Sequence, residues 1–190
     1  MENSTLLKTG VDLFQIRKEL IESTLWVDQD GLPNRPATRA GTSRIQLRTN
    51  KKIPGKHYHD IHETCDLEAW HVLSHTRDFV LEAARILNGT VGHVRVTSLC
   101  GGGEITPHID VGEYCAIRDR YHLVIDAPMG TEFVAGDEKV VMREGEFWWF
   151  DNKQQHHVKN LGDTPRVHLV FDLLPRRAAW STAGLAPLLP

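Results

Sequence analysis

The chain has 190 residues, 41% of them hydrophobic and 25% charged, which suits one domain whose core needs no disulfide staples. A formal net charge of −3 argues against nucleic acid as a main partner, because phosphate binding relies on clustered Lys and Arg. The apolar runs fall far short of the ~20 residues of a membrane helix, "MENSTLLKTG" lacks a signal-peptide pattern, and Cys65, Cys100 and Cys115 form no metal knuckle, so the expectation is a reduced, cytoplasmic protein with no membrane partner.

In chain order, residues 11–25 place Leu13, Ile16, Leu20 and Ile21 at helical spacing. Residues 26–60 are rich in Pro, Gly, Thr and Arg. They read as loops around one short strand, "SRIQLRT", in which Ile45 and Leu47 alternate with polar residues. A second helical region spans about 66–88 and ends on Asn88-Gly89, a common C-terminal signal.

From Thr90 the character changes. "TVGHVRVTSL", "EITPHIDV", "RYHLVIDA", "TEFVAG", "KVVMREG", "EFWWFDN", "HHVKN" and "RVHLVFDLL" are short runs rich in Val, Ile and aromatics, separated by turn signals. Eight strands with no helix between them argue a β-sandwich or barrel. The expected layout is a single domain over 1–190: a helical and loop N-terminal layer (1–89), a β core (90–175) and a C-terminal tail (176–190).

Within the β region, "PHID" puts His108 and Asp110 two apart, so on a strand both would share a face. A third donor must come from elsewhere, and "DNKQQHHVKN" offers His156 or His157. Two imidazoles and one carboxylate on one side of an ion leave three positions open, the arrangement suited to iron(II) oxygenases. The bland alternative is a strand-end salt pair. Ten residues past His156 stands Arg166, which shares a strand face with His168, Val170 and Asp172. An arginine inside a β core needs an anion. That anion is either a ligand carboxylate or an internal acid such as Asp151 or Asp172. The tract holding His57, His59, His62 and His71 reads as entrance or solvent-exposed histidines rather than a second metal site. "EFWWF" reads as a buried aromatic strand, with Trp148 or Trp149 a candidate pocket residue.

Taken in order, "PHID", "RYHLVI", "EGEFWWFDN", "HHVKN" and "RVHLVFD" resemble the aspartyl/asparaginyl β-hydroxylase family of Fe(II)/2-oxoglutarate oxygenases, over about Val94 to Leu174. The resemblance implies a mainly β fold with N-terminal helices, a double-stranded β-helix (jelly-roll, cupin-like) barrel. It implies iron on His108, Asp110 and His156, with 2-oxoglutarate and O2 as cosubstrates. It places Arg166 and Thr97 at the distal carboxylate of 2-oxoglutarate, and Arg120 and His122 along the cosubstrate and substrate pocket. Arg120, His168 and Trp149 are the candidate substrate-binding residues. Arg120, His122 and His168 beside Arg166 point to a zwitterionic or anionic substrate, a small molecule or a peptide. Animal members have glycine where this chain has Asp110, so a three-ligand site is expected here. The implied reaction is hydroxylation of an unactivated C–H bond, with succinate and CO2 as co-products. Two other readings compete: a cupin-type metal enzyme that does not use 2-oxoglutarate, and a non-catalytic ligand-binding barrel.

Overall fold

The computed structural model describes residues 3–30, 41–57 and 59–176. Twelve strands and four helices follow one another in these segments. The strands are β1 (Ser4–Lys8), β2 (Val27–Asp28), β3 (Thr42–Asn50), β4 (Thr64–Asp66), β5 (Gly89–Leu99), β6 (Glu104–His108), β7 (Asp119–Asp126), β8 (Thr131–Ala135), β9 (Glu138–Val140), β10 (Phe147–Phe150), β11 (His156–Asn160) and β12 (Arg166–Pro175). The helices are α1 (Phe14–Glu22), α2 (Glu68–Val72), α3 (Ser74–Ile86) and α4 (Glu113–Ala116).

The strands form two antiparallel sheets. The larger runs β1-β10-β7-β12-β5-β3-β2, with β4 added on β3, and the smaller runs β6-β11-β8-β9. They make the expected jelly-roll architecture, although the two sheets do not close into one barrel.

Alternation along each strand of the large sheet sorts its residues into two populations. Ile45, Leu47, Val94, Val96, Tyr121, Leu123, Phe147, Leu169, Phe171 and Leu173 face one way. They meet the apolar stripes of α1 (Ile16, Leu20) and α3 (Val80, Ala83, Ala84), with Trp70 of α2. The opposite parity carries Arg44, Arg95, Thr97, Arg120, His122 and Arg166, and these line cavities between the sheets. A second apolar cluster closes the space between the sheets: Leu99, Val124, Phe133, Ala135, Met142, Trp148, Phe150 and Val158.

The N-terminal layer differs from expectation. Its helices and the expected strand in "SRIQLRT" (β3) are present, but residues before Gly89 also supply β1, β2 and β4, and all four strands are hydrogen-bonded into the large sheet. β1 escaped notice because "STLLK" has no alternation; it is defined by pairing with β10, an edge no local pattern reveals. "KVVMREG" forms a strand only at its start, since β9 ends at Val140. The "EITPHIDV" strand ends at His108, leaving Ile109 and Val111 exposed. Of the tail assigned to 176–190, only Arg176 lies within the described residues. No described helix is long and apolar enough to cross a membrane.

Phe171 is fully buried and its ring stacks with Phe147 and Tyr121. Phe171→Ala is expected to cost about 3–5 kcal/mol of stability, read from urea denaturation midpoints.

Candidate metal centre

β6 and β11 are antiparallel neighbours, and His108 and His156 stand directly opposite each other in their register. Asp110 completes the group from the loop beyond β6. Its side chain therefore reaches the site by a turn of the chain and not by strand alternation, which corrects the expected shared strand face. Its backbone N–H donates to the Asn152 carbonyl at 3.3 Å, which holds this turn against the other loop of the site. One ligand atom from each of the three lies within 4.8 Å of the others. His156 Nε2 is 3.8 Å from Asp110 Oδ2, and the two imidazole centroids are 4.3 Å apart.

Both rings are held in the same way. His108 Nδ1 lies 2.9 Å from the Thr106 carbonyl and His156 Nδ1 lies 3.0 Å from the Gln154 carbonyl. A carbonyl only accepts, so each Nδ1 carries the proton and each Nε2 lone pair is left for a metal. Burial pushes the His156 imidazole down to about 4, against the opposing pull of Asp110, so it is neutral at neutral pH, as a ligand must be. His157, the other candidate, is only half-buried and belongs to no such cluster among the described residues. Two imidazoles presenting Nε2 and a carboxylate, grouped on one side, fit a divalent ion such as Fe(II).

Arg166 lies in the wall of the same cavity of about 70 Å³ that His108 and His156 line. It is only 3% exposed. Its Nη2 is 3.1 Å from His168 Nδ1, its Nε has no partner, and among the described residues no carboxylate pairs with it. Burial alone pushes the guanidinium down to about 9, which still leaves it charged at neutral pH. Asp172 and Asp151, the internal acids that could have satisfied it, are engaged elsewhere. A buried, uncompensated cation beside a cluster of metal donors is an anion site.

The family profile described as Aspartyl/Asparaginyl beta-hydroxylase matches residues 43–175, which include all of these side chains. The chain belongs to the aspartyl/asparaginyl β-hydroxylase family. L-proline cis-4-hydroxylase of Rhizobium meliloti (strain 1021) is 32% identical to it over 82 residues, 43% of this chain and 29% of that relative. The match therefore spans less than a third of the relative's length. A crystal structure described as an oxidoreductase of the 2OG-Fe(II) oxygenase family, from Burkholderia pseudomallei, superposes with a TM-score of 0.64 at 13% identity. It covers 93% of this chain and 86% of that one, and it shows a shared fold.

As a β-hydroxylase family member, the chain brings most of its expected pocket residues together. Thr97 and His122 line the cavity with Arg166, alongside Ile105, Phe133, Phe150 and Val158. Arg120 also lines it, but its charge is already spoken for. Its Nη1 donates to Asp110 Oδ2, and Nε and Nη2 donate to the two oxygens of Asp172 at 2.7 and 3.0 Å. Arg120 thus ties the Asp110 carboxylate of the donor cluster to a second, fully buried one. His168 lies outside the cavity lining, 0% exposed, touching Arg166 and His122. Trp149 is on the wrong face: strand alternation turns it to the helix side, while Trp148 and Phe150 point between the sheets.

Sequence reading missed Asp172 as a partner of Arg120, and it missed Arg95. Arg95 had a signal: in "HVRVTSL" it has the parity of Thr97, and it lines the same cavity. The charge argument also changes. Burial and the neighbouring Arg166 push both His122 and His168 well below the ordinary imidazole range, so they are neutral, not cationic. Among the other histidines, the described residues hold no second metal-type cluster.

Two outcomes follow from these contacts. Asp172→Asn removes half of the clamp on Arg120 without touching a metal ligand. Fe(II) or Co(II) affinity, measured by competition with a chromophoric chelator, is expected to fall roughly 10- to 100-fold. The pH response follows from the imidazoles. His93 and His156 are both held near 4 in the folded protein by burial, below the unfolded value of 6.5. Between these limits the unfolded chain binds more protons than the folded one, so stability rises with pH. The urea midpoint of metal-free protein should therefore drop steadily from pH 7 to pH 4.5; a flat profile would contradict the assignment.

Proposed function

We propose that this chain is an Fe(II)- and 2-oxoglutarate-dependent dioxygenase that hydroxylates an unactivated C–H bond. Its substrate is an amino acid, an amino-acid-derived metabolite or an Asp/Asn side chain in a peptide. The observation that carries this reading is Arg166: a buried cation with no internal carboxylate, in the wall of the cavity that holds the metal donors. A cupin-type enzyme working through the metal alone has no need of such a cation. The name of the relative, a proline 4-hydroxylase, agrees with amino-acid hydroxylation.

In this reading His108, Asp110 and His156 would hold the iron and leave positions for exogenous ligands. When bound, the ferrous ion with 2-oxoglutarate and O2 supplies the oxidising power, and 2-oxoglutarate leaves as succinate and CO2. Arg166 holds the distal carboxylate of the cosubstrate, which fixes its orientation before reaction. Thr97, on the strand paired beside Arg166, offers a hydroxyl to the same group. His122, neutral and 7% exposed, adds a wall that does not repel a cation or attract a second anion. Ile105, Phe133, Phe150 and Val158 exclude water around the reacting centre. Arg120 and Asp172 hold Asp110 in place. No side-chain nucleophile or general base is required. The reading takes the chain as one catalytic domain in a reducing cytoplasm, in keeping with its three free thiols.

Arg166→Ala tests the assignment. It should raise the Kd for 2-oxoglutarate roughly 100-fold, because truncation removes a buried charge partner. Fe(II) affinity should remain within about threefold of wild type, since that change is below 1 kcal/mol. Succinate formation dependent on both Fe(II) and 2-oxoglutarate is the companion measurement, and unaltered 2-oxoglutarate binding in the variant would overturn the role given to Arg166.

A further inference from the structure

An open groove of about 1170 Å³ lies among the loop before β4, β4 itself, the start of β5 and α3. It shares no lining residue with the metal cavity. Arg118, just before β7, lines it and is only 7% exposed. The guanidinium lies over the Tyr114 ring, 3.9 Å from its centroid, and Nη1 donates to the Tyr114 carbonyl at 3.2 Å. A Cβ at Gly92 would run into the Tyr114 hydroxyl and lie 3.2 Å from Arg118 Nε, so the missing side chain there makes room for both groups.

Arg118 Nε is buried with no partner, and no carboxylate pairs with Arg118 among the described residues. Its sequence neighbour Asp119 pairs with Lys153 instead, at 3.6 Å. Arg120 shows what such a fork takes: its Nε and Nη2 hold the two oxygens of Asp172. The same edge of Arg118 has no acceptor among the described residues. A buried guanidinium in that condition is matched by a planar carboxylate. His62, 5% exposed, lines the same groove. Its Nε2 meets the His57 carbonyl, which only accepts, so Nε2 carries the proton and Nδ1 keeps a lone pair, buried without a partner. A ligand that answers both side chains brings a carboxylate and an N–H or O–H donor.

The rest of the groove fits the same kind of ligand. Its lining acids, Glu63 and Asp66, are already paired with Lys51 at 3.6 Å and Arg48 at 2.6 Å. Lys56 donates to the Ile61 carbonyl and Arg176 to the Thr90 hydroxyl, and neither has a carboxylate partner among the described residues. The uncompensated charge of the walls is therefore positive. Ile61 and Leu81, 43% and 46% exposed, and the Trp70 ring add apolar wall. The volume exceeds the ~300–1,000 Å³ of sites that close around a small molecule, so the occupant is longer than a metabolite.

We propose that this groove docks a peptide segment through an acidic side chain. The carboxylate sits on the open edge of Arg118, a peptide N–H donates to His62 Nδ1, and an apolar neighbour covers Ile61 and Leu81. The inference does not rest on the metal-cavity reading, because the two spaces have no residue in common.

The test is calorimetric titration of the protein with its metal cavity filled by Co(II) and 2-oxoglutarate, so that Arg166 is not the anion site being read. The probes are blocked pentapeptides Ac-Ala-X-Glu-Z-Ala-NH2, with X and Z drawn from Leu, Trp, Ser and Lys, each compared with its Gln counterpart. At least one Glu peptide should bind, with the Gln peptide roughly 10- to 100-fold weaker, the range of a charge-assisted hydrogen bond. Arg118→Gln should abolish that discrimination. Arg118→Lys keeps the charge but not the fork, so it should keep only part of the discrimination, and it decides the question if the Gln variant does not fold. Succinate should bind roughly tenfold more weakly than the best peptide, since it leaves the apolar wall uncovered. Because Arg118 does not line the metal cavity, 2-oxoglutarate affinity should stay within about threefold in both variants. No binding by any Glu peptide, equal binding of Glu and Gln peptides, or undiminished discrimination in either variant would overturn the docking site. Succinate binding as tightly as the best peptide would also overturn it, making the groove a metabolite site. Failure of the wild type to take up 2-oxoglutarate would instead overturn the metal-cavity reading, and the same peptide titrations in Arg166→Ala would still decide the groove.

Discussion

A side chain on a β-strand can face only one of two directions, and the whole large sheet depends on that constraint. One parity is given to Ile45, Leu47, Val94, Val96, Leu123, Leu169, Phe171 and Leu173, which bury themselves under three helices. Burial of each of these side chains contributes about 1.5–3 kcal/mol. The other parity is then free to carry groups that no ordinary core would hold. Arg44, Arg95, Thr97, Arg120, His122 and Arg166 are held rigidly between the sheets because their sequence neighbours are locked into the opposite face. The functional groups are placed by strands and not by loops, apart from Asp110 and His59.

The buried arginines Arg120 and Arg166 show two opposite electrostatic solutions in the walls of one cavity. Arg120 is fully compensated, with a carboxylate on each side. Its charge is not offered to a ligand; it transmits the position of Asp172 to Asp110. Among the described residues Arg166 has the neutral His168 within reach and no carboxylate, so its charge is exposed to whatever enters the cavity. Leaving a guanidinium in that condition costs stability in the empty protein. The cost is recovered when an anion binds, which is how a pre-organised site obtains affinity. The same contrast explains why His122 and His168 are neutral: a protonated imidazole beside Arg166 would add repulsion to desolvation.

The sequence by itself determined the β character after Thr90 and the helices before it, and it offered His108, Asp110 and Arg166 with either His156 or His157 as a candidate site. It did so because strand alternation, helical spacing and donor chemistry are local properties, written in residue types and short intervals. Even the inward parity of Arg95 was there to be read in "HVRVTSL". Only the tertiary structure decided the rest. It chose His156 over His157 by pairing it with His108 across two strands. It put Asp110 on a loop beside the two imidazoles, recruited β1 and β3 into the large sheet, joined Arg120 to Asp172 and Asp110, and turned Trp149 away from the pocket. Each of these is a contact between residues far apart in the chain, set by which strands become neighbours, and strand order is not encoded in any short run of residues.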